Sequence, residues 1–231
     1  MCFSENWSLS FGIAGAAISI YRIYYKYQLI AILIPIFYTI MELTQYFQYK
    51  VINQCDNPIN QNLTKFTWFL EWIQPFLWNI VYYKITKSNK KVFKFSIVLS
   101  LIVFIAGVLR VFNTSDKISI THEAQVKGRN CAIRGDKHII WNNNAQTLKG
   151  LEPNWFVYLL LWFIPILWIT PFKKAQTIFS WQLSGIMLTI IILNIGRNTY
   201  DLNYNDQLAS TWCLISIPGI ILGEFLEKSY Y

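Results

Sequence analysis

Apolar stretches of membrane-spanning length alternate along this chain with short polar or lysine-bearing connections. An α-helix needs roughly 17–25 mostly apolar residues to cross a bilayer. The pattern predicts helices at 7–25, 27–47, 64–83, 93–112, 154–172, 175–195 and 206–225, with a long loop over 113–153. The expected fold is all-α: a polytopic membrane protein whose residues 1–231 form a single seven-transmembrane-helix bundle in the lipid bilayer. Gly12 and Ala16, four apart in the first stretch, are small enough to let a neighbouring helix approach closely. Gln74-Pro75 predicts a kink in the third helix, because proline removes a backbone donor and crowds the preceding turn. Trp68, Trp72, Trp78, Trp155, Trp162 and Trp168 flank or stud the spans, and interfacial aromatic belts are expected to account for some of them.

Composition agrees with a bilayer environment. The chain is 54% hydrophobic and only 14% charged, against about 25% charged residues in soluble domains. Its net charge of +8 comes from basic residues that punctuate helix ends, so no nucleic-acid partner is expected. Arg22 and Lys26, then Lys84, Lys87, Lys90, Lys91 and Lys94, then Lys173 and Lys174, and finally Lys228 crowd into alternate short connections. The positive-inside rule puts those connections in the cytoplasm. The N-terminus is then outside or luminal and the C-terminus cytoplasmic. No cleavable signal peptide is expected, since no basic region followed by a small-residue cleavage site opens the chain.

Two further features fall on the predicted outer side. Asn6, Asn62 and Asn113 begin N-x-S/T sequons and are candidate glycosylation sites. Cys2, Cys55 and Cys131 also map there, where disulfides persist, whereas Cys213 lies in the last helix. A Cys55–Cys131 bond would tie the second outer loop to the long one, with Cys2 a competitor for either partner.

The chemistry-bearing residues sit inside the predicted spans. Glu42 and Gln45 are one turn apart, as are Glu71 and Gln74, so each pair shares a helix face. Asn79 lies deeper, and Arg110, Asn194 and Trp212 lie towards the outer ends of their helices. An ionised side chain near the bilayer centre costs at least ~2.5 kcal/mol, so such groups should face the bundle or a cavity. Together these eight residues make a candidate outward-facing pocket anchored by Glu42 and Glu71. The competing use is structural: Glu42 pairs with Arg110 or another helix, in contacts averaging ~0.6 kcal/mol. His138 and Trp141 in the long loop form a candidate lid. His138, His122, Cys55, Cys131 and Asp136 lack the tight spacing of a metal site, so no metal or cofactor is expected.

These motifs carry a resemblance. The opening Met1-Cys2-Phe3-Ser4, then Met41-Glu42-Leu43-Thr44-Gln45, Gln74-Pro75-Phe76-Leu77-Trp78-Asn79, the run from Cys131 through Gly135 and His138-Ile139 to Trp141, and Trp212-Cys213 span most of the chain. In them the chain resembles a family of uncharacterised seven-helix membrane proteins that begin Met-Cys-aromatic-Ser. The family's proline soon after the loop tryptophan is replaced here by Asn142-Asn143-Asn144. The resemblance implies the fold and singles out these residues; it implies no reaction.

Other seven-helix classes lack support. Residues 206–225 hold no lysine for a retinal Schiff base, and the Asp-Arg-Tyr and Asn-Pro-x-x-Tyr signatures of rhodopsin-like receptors are missing. Metal-dependent lipid hydrolases use several intramembrane histidines, whereas both histidines here are in the loop. The favoured expectation is a non-enzymatic protein that binds or senses a small molecule or lipid in the outward pocket, with no catalytic residue assigned. The alternatives are a small proton-coupled transporter working through Glu42 or Glu71, as in transporters with a Pro-Gln loop, and a structural membrane scaffold.

Overall fold

The computed structural model describes residues 4–113, 130–135, 138–142, 155–170, 172, 182–188, 191, 213 and 216–220. Four long helices open the chain: α1 (Glu5–Tyr24), α2 (Leu29–Lys50), α3 (Pro58–Ile85) and α4 (Lys90–Asn113). A hairpin of β1 (Cys131–Arg134) and β2 (Ile139–Asn142) follows, then α5 (Trp155–Phe163), which runs into a 3₁₀-helix at Ile164–Trp168. The protein is thus mostly helical, as expected. Residues 182–188 and 216–220 are helical within the sixth and seventh expected helices, whose remaining residues lie largely outside the described ones.

Two elements differ from the hydropathy reading, each for a local reason. Helix α3 begins at Pro58, six residues before the apolar pattern does. Asn57 Oδ1 accepts the Ile59 amide at 2.9 Å, and proline at the first helical position lacks the amide that would go unpaired. The helix continues through Pro75. Helix α5, expected over 154–172, gives way to the tighter 3₁₀ form after Phe163, because Pro165 cannot donate to Leu161. The hairpin lies in the long loop, where β-branched Ile133 and Ile139 flank the turn at Gly135.

The described residues fall into two compact units. One is drawn from 1–67, 131–141 and 184–231, the other from 68–130 and 142–183. In the first, α1 buries its smallest face, Ser8, Gly12, Gly15 and Ser19, with Ala16 half-buried beside it. A Cβ on Gly12 would come 2.8 Å from Leu43 Cδ2, and one on Gly15 would come 2.3 Å from Thr39 Oγ1 and 2.7 Å from Ile217 Cδ1. The seam between α1 and α2 closes only because these positions carry no side chain. Pro35 within α2 frees the Ala31 carbonyl from its usual partner, and the Arg22 guanidinium donates to that oxygen.

The second unit is an aromatic core. Trp68, Trp72, Trp78, Trp162, Tyr82, Tyr158, Phe93 and Phe104 are buried, so four of the tryptophans that flank or stud the expected spans lie in the interior. Trp68 stacks on Trp72 at 5.5 Å, and Trp78 on Trp162 at 6.1 Å. A Cβ on Gly107 would lie 2.6 Å from the Trp68 ring. Asn79 joins the helices. Its Nδ2 faces Pro75 O (2.7 Å), Ser100 Oγ (3.2 Å) and Leu161 O (2.8 Å), the last being the carbonyl that Pro165 leaves without a donor. Helix α4 buries a stripe of Phe93, Ser96, Ser100, Phe104 and Gly107 and turns Phe95, Val98, Ile102, Ile105 and Leu109 outward. Among the described residues one helix, Lys90–Leu109, is long and apolar enough to cross a membrane.

Asn79→Leu strands the buried Leu161 carbonyl, which should cost about 1–3 kcal/mol. Ser100→Ala leaves that bond in place and should cost less. Thermal unfolding of the two variants in detergent checks the ordering, and equal losses would show that Leu161 is satisfied by another route.

Candidate functional site

Thr39, Glu42, Gln45 and Tyr49 recur at spacings of three and four, so they project from one face of α2, with Gln48 beside them. All five are buried. At the Tyr49 end of this face the hairpin docks through hydrogen bonds. His138 Nε2 meets Gln45 Oε1 at 2.6 Å and His138 Nδ1 meets the Tyr49 hydroxyl at 2.8 Å. A carboxamide oxygen only accepts, so the proton sits on Nε2 and Tyr49 donates to Nδ1. Both ring nitrogens are thus used by a neutral imidazole, and burial pushes the His138 pKa down to about 3. Trp141 Nε1 donates to Gln48 Oε1 at 2.9 Å, while Gln48 Nε2 donates to Thr67 Oγ1 at 3.3 Å.

The other edge of the hairpin is fastened by asparagines and sulfur. The Asn60 carboxamide takes both backbone groups of Ala132: its Oδ1 accepts the amide at 2.7 Å and its Nδ2 donates to the carbonyl at 3.0 Å. Asn53, in the left-handed region at φ 65°, donates its amide to the same carbonyl at 3.1 Å and accepts the Arg134 amide on Oδ1 at 2.9 Å. Asparagine tolerates that conformation better than most residues. The edge of β1 therefore offers no bare ladder to another strand. Cys55 and Cys131 form the expected disulfide, which closes a separation of 76 residues. Lys50 and Glu5 pair across the ends of α2 and α1 nearby.

Beneath the hairpin the pairing stops. Both Glu42 oxygens, Ser8 Oγ, Thr39 Oγ1 and Gln45 Nε2 are buried without a hydrogen-bond partner among the described residues. Ser8 Oγ lies beside the Glu42 carboxyl, within reach of donating to it though outside strict hydrogen-bond geometry, and Gly12 faces the Glu42 Cβ, 3.8 Å from where its own Cβ would be. Unsatisfied buried groups are few in native proteins, and each calls for an explanation. This cluster on α1 and α2 offers hydroxyl, carboxyl and amide groups together.

The remaining expected site residues distribute as follows. Glu71 and Gln74 belong to the second unit and are buried; both Glu71 oxygens are unpaired among the described residues. Asn79 serves the carbonyls freed and carried by the prolines. Asn194, Trp212 and Cys2 lie outside the described residues, as do the side chains of Arg110 and Asn113. Asn6 and Asn62 are exposed, while the hydroxyl residues of their sequons, Ser8 and Thr64, are fully buried. Ser8, Thr39, Gln48, Tyr49, Asn53 and Asn60 escaped the sequence reading. Their one legible signal was the continuation of the Glu42-Gln45 spacing to Gln48 and Tyr49.

Two measurements probe the hairpin and its attachment. The His138 value of about 3 is below the ordinary 6.5, so the unfolded chain binds the proton first. Stability from this group is present above pH 6.5 and lost towards pH 3, at up to about 1.4 kcal/mol per pH unit. The advantage of wild type over His138→Gln should therefore shrink between about pH 7 and pH 5 in thermal unfolding, and a constant difference would place the titration elsewhere. Chain entropy for a loop of this length gives the disulfide about 4–5 kcal/mol. Cys55→Ser with Cys131→Ser should lower the unfolding midpoint accordingly, and the same midpoint with and without reductant in the double variant checks the assignment.

Known proteins place the chain in a wider group. The Family of unknown function (DUF5765) matches residues 6–226. An uncharacterized protein of Acanthamoeba polyphaga mimivirus is 26% identical over 240 residues, covering 96% of this chain and 93% of the viral protein. No solved structure matches. The family match begins in the first turn of α1 and takes in every element from there to the hairpin and α5, and the chain belongs to this family of unknown function.

Proposed function

We propose that this is a multi-pass membrane protein, a seven-helix transmembrane domain with its N-terminus outside or luminal and its C-terminus cytoplasmic, that binds a small ligand at the polar seam around Glu42. The observation that carries the reading is an inside-out distribution of side chains. Ile20, Phe95 and Leu29 are 66%, 68% and 70% exposed, whereas Glu42, Gln45 and Gln48 are 0% exposed. Water would favour the reverse, and lipid favours this arrangement. The capture of proline-freed carbonyls by Arg22 and Asn79 supports it, since a bilayer core offers backbone groups no water. So does the length of α3, whose 28 residues reach about 42 Å at 1.5 Å per residue.

In this reading the disulfide and the exposed Asn6 and Asn62 mark the outer side, where glycans attach. The hairpin is the lid, with His138 and Trp141 sealing the polar face of α2 from above. Glu42 is the anchor of the ligand. The unpaired Glu71 carboxyl favours a second reading, a proton-coupled transporter, whose mark would be uptake driven by a pH gradient and lost in Glu71→Gln.

The test compares wild type, Glu42→Gln and Glu71→Gln in lipid nanodiscs, by native mass spectrometry and by thermal stability against a panel of ions, small polar molecules and lipids. A ligand class that stabilises wild type and Glu71→Gln but leaves Glu42→Gln unmoved supports the site. A Glu42→Gln deficit that is the same under every condition would make Glu42 a structural contact. Glycosidase treatment of protein from a glycosylating host should collapse a mass increment that Asn6→Gln and Asn62→Gln each reduce.

A further inference from the structure

We propose that the connection between α3 and α4 is a binding surface for anionic phospholipid headgroups, with Lys84, Lys87, Lys91 and Lys94 as the groups that meet the phosphates. The inference rests on the reading of the chain as a membrane protein with this connection on the cytoplasmic side.

Charge is the first observation. Five lysines fall within residues 84–94, and no aspartate or glutamate stands between Glu71 and Asp116. Lys84, Lys87, Lys91 and Lys94 are exposed, and none of them makes an ion pair among the described residues. Lys90 is used differently: its Nζ donates to the Tyr83 carbonyl at 2.6 Å and lies 4.5 Å over the Tyr83 ring. Like charges gathered in one short connection repel, and an external anion relieves them.

The geometry holds these charges together. Lys84 and Lys91 are each the chain neighbour of a residue in the Lys90–Tyr83 contact, and Lys94 follows Lys91 by three on one face of α4. Lys87 is fixed by a clasp on Thr170. The Lys87 amide donates to the Thr170 carbonyl at 3.3 Å, and the Ser88 amide to Thr170 Oγ1 at 3.0 Å. Thr86 Oγ1 accepts the Thr170 amide at 3.2 Å, and Asn89 Nδ2 donates to the Trp168 carbonyl at 3.3 Å. The backbone that carries the lysines is therefore ordered in advance, which lowers the cost of binding. Two further lysines, Lys173 and Lys174, follow Thr170 in sequence and lie outside the described residues.

The surroundings select a lipid as the source of the phosphate. Directly beyond Lys94, α4 turns Phe95, Val98 and Ile102 outward, and Lys90–Leu109 is long and apolar enough to cross a membrane. Leu167, Trp168 and Phe172 are exposed on the strand of chain that carries the clasp. A soluble anion would gain nothing from that apolar border, whereas a phospholipid meets the ammonium groups with its head and the border with its acyl chains. Lysine presents a compact point charge in place of a fixed fork, which suits exchanging headgroups in a fluid leaflet.

The test uses the full chain in mixed micelles, where orientation plays no part, with phosphatidylserine replacing phosphatidylcholine in steps. Unfolding midpoint and lipid retained in native mass spectrometry are the two readouts. Wild type should gain stability and retain phosphatidylserine preferentially, and both effects should fade as salt rises from roughly 0.05 to 0.5 M. Lys87→Gln, Lys91→Gln and Lys94→Gln should each weaken the apparent affinity about five-fold. The corresponding Lys→Arg variants keep the charge and should bind at least as well as wild type, so they and the salt series remain informative if a glutamine variant does not fold. Lys65→Gln, towards the other end of α3, should respond as wild type does. A wild type indifferent to phosphatidylserine, glutamine variants that respond like wild type, or an equal effect of inorganic phosphate in phosphatidylcholine micelles overturns the proposal. Flotation after reconstitution separates the two readings: a chain that enters liposomes without preferring the anionic lipid sinks this inference alone, and a chain that enters none sinks the membrane reading with it.

Discussion

Where Pro35 and Pro165 interrupt helices in this protein, a side chain from another element supplies a donor to the carbonyl each one frees. That constraint organises each unit. Proline at 35 and at 165 would each leave a carbonyl without its helical donor, and each is answered by a side chain from elsewhere, Arg22 in one unit and Asn79 in the other. Asn79 serves three acceptors with one amide nitrogen, which ties α3 to α4 and α5 where the 3₁₀ turn interrupts the ladder. Trp68, Trp72, Trp78 and Trp162 pack the same interior, so aromatic bulk and amide chemistry share the work of cohesion.

The hairpin obeys the same rule from the other side. It is short, and two strands alone are marginal. Its backbone is completed by Asn53 and Asn60, its covalent hold is the Cys55–Cys131 bond, and its inward side chains reach Gln45, Gln48 and Tyr49. Every contact on that list is polar or covalent, and a hairpin held so is specific in where it sits. A neutral His138 is part of that fit, since both of its nitrogens are already committed.

Against this thoroughness the unpaired oxygens of Glu42, Ser8 and Thr39 stand out. A chain that supplies donors for the freed Ala31 and Leu161 carbonyls would be expected to satisfy a carboxyl as well. Leaving one bare beside a seam of glycines is costly, and the ligand proposed for this seam would offset that cost. Glu71 repeats the pattern in the second unit, both of its oxygens unpaired among the described residues.

How much of this was legible beforehand divides along a physical line. Hydrophobic period and length are local, and they were enough to place α1, α2 and α4 within a few residues and α3 but for its first six, while the cysteine positions offered Cys55–Cys131 with Cys2 as a competitor and the polar residues brought out Glu42, Gln45, His138 and Trp141. Pairing is not local. That His138 would take Gln45 and Tyr49, that Asn60 would imitate a strand edge for Ala132, and that Asn79 would serve Leu161 depend on separations of 72 to 93 residues closed by the fold. Gly15 reads as an ordinary small residue until Thr39 and Ile217 are seen against it. The sequence by itself determined which of the described segments are helical and which side chains within them carry polar chemistry. Only the tertiary structure decided which of those polar groups are satisfied and which are left over, because a hydrogen bond needs its partner's position to within a few tenths of an ångström and composition carries no distance.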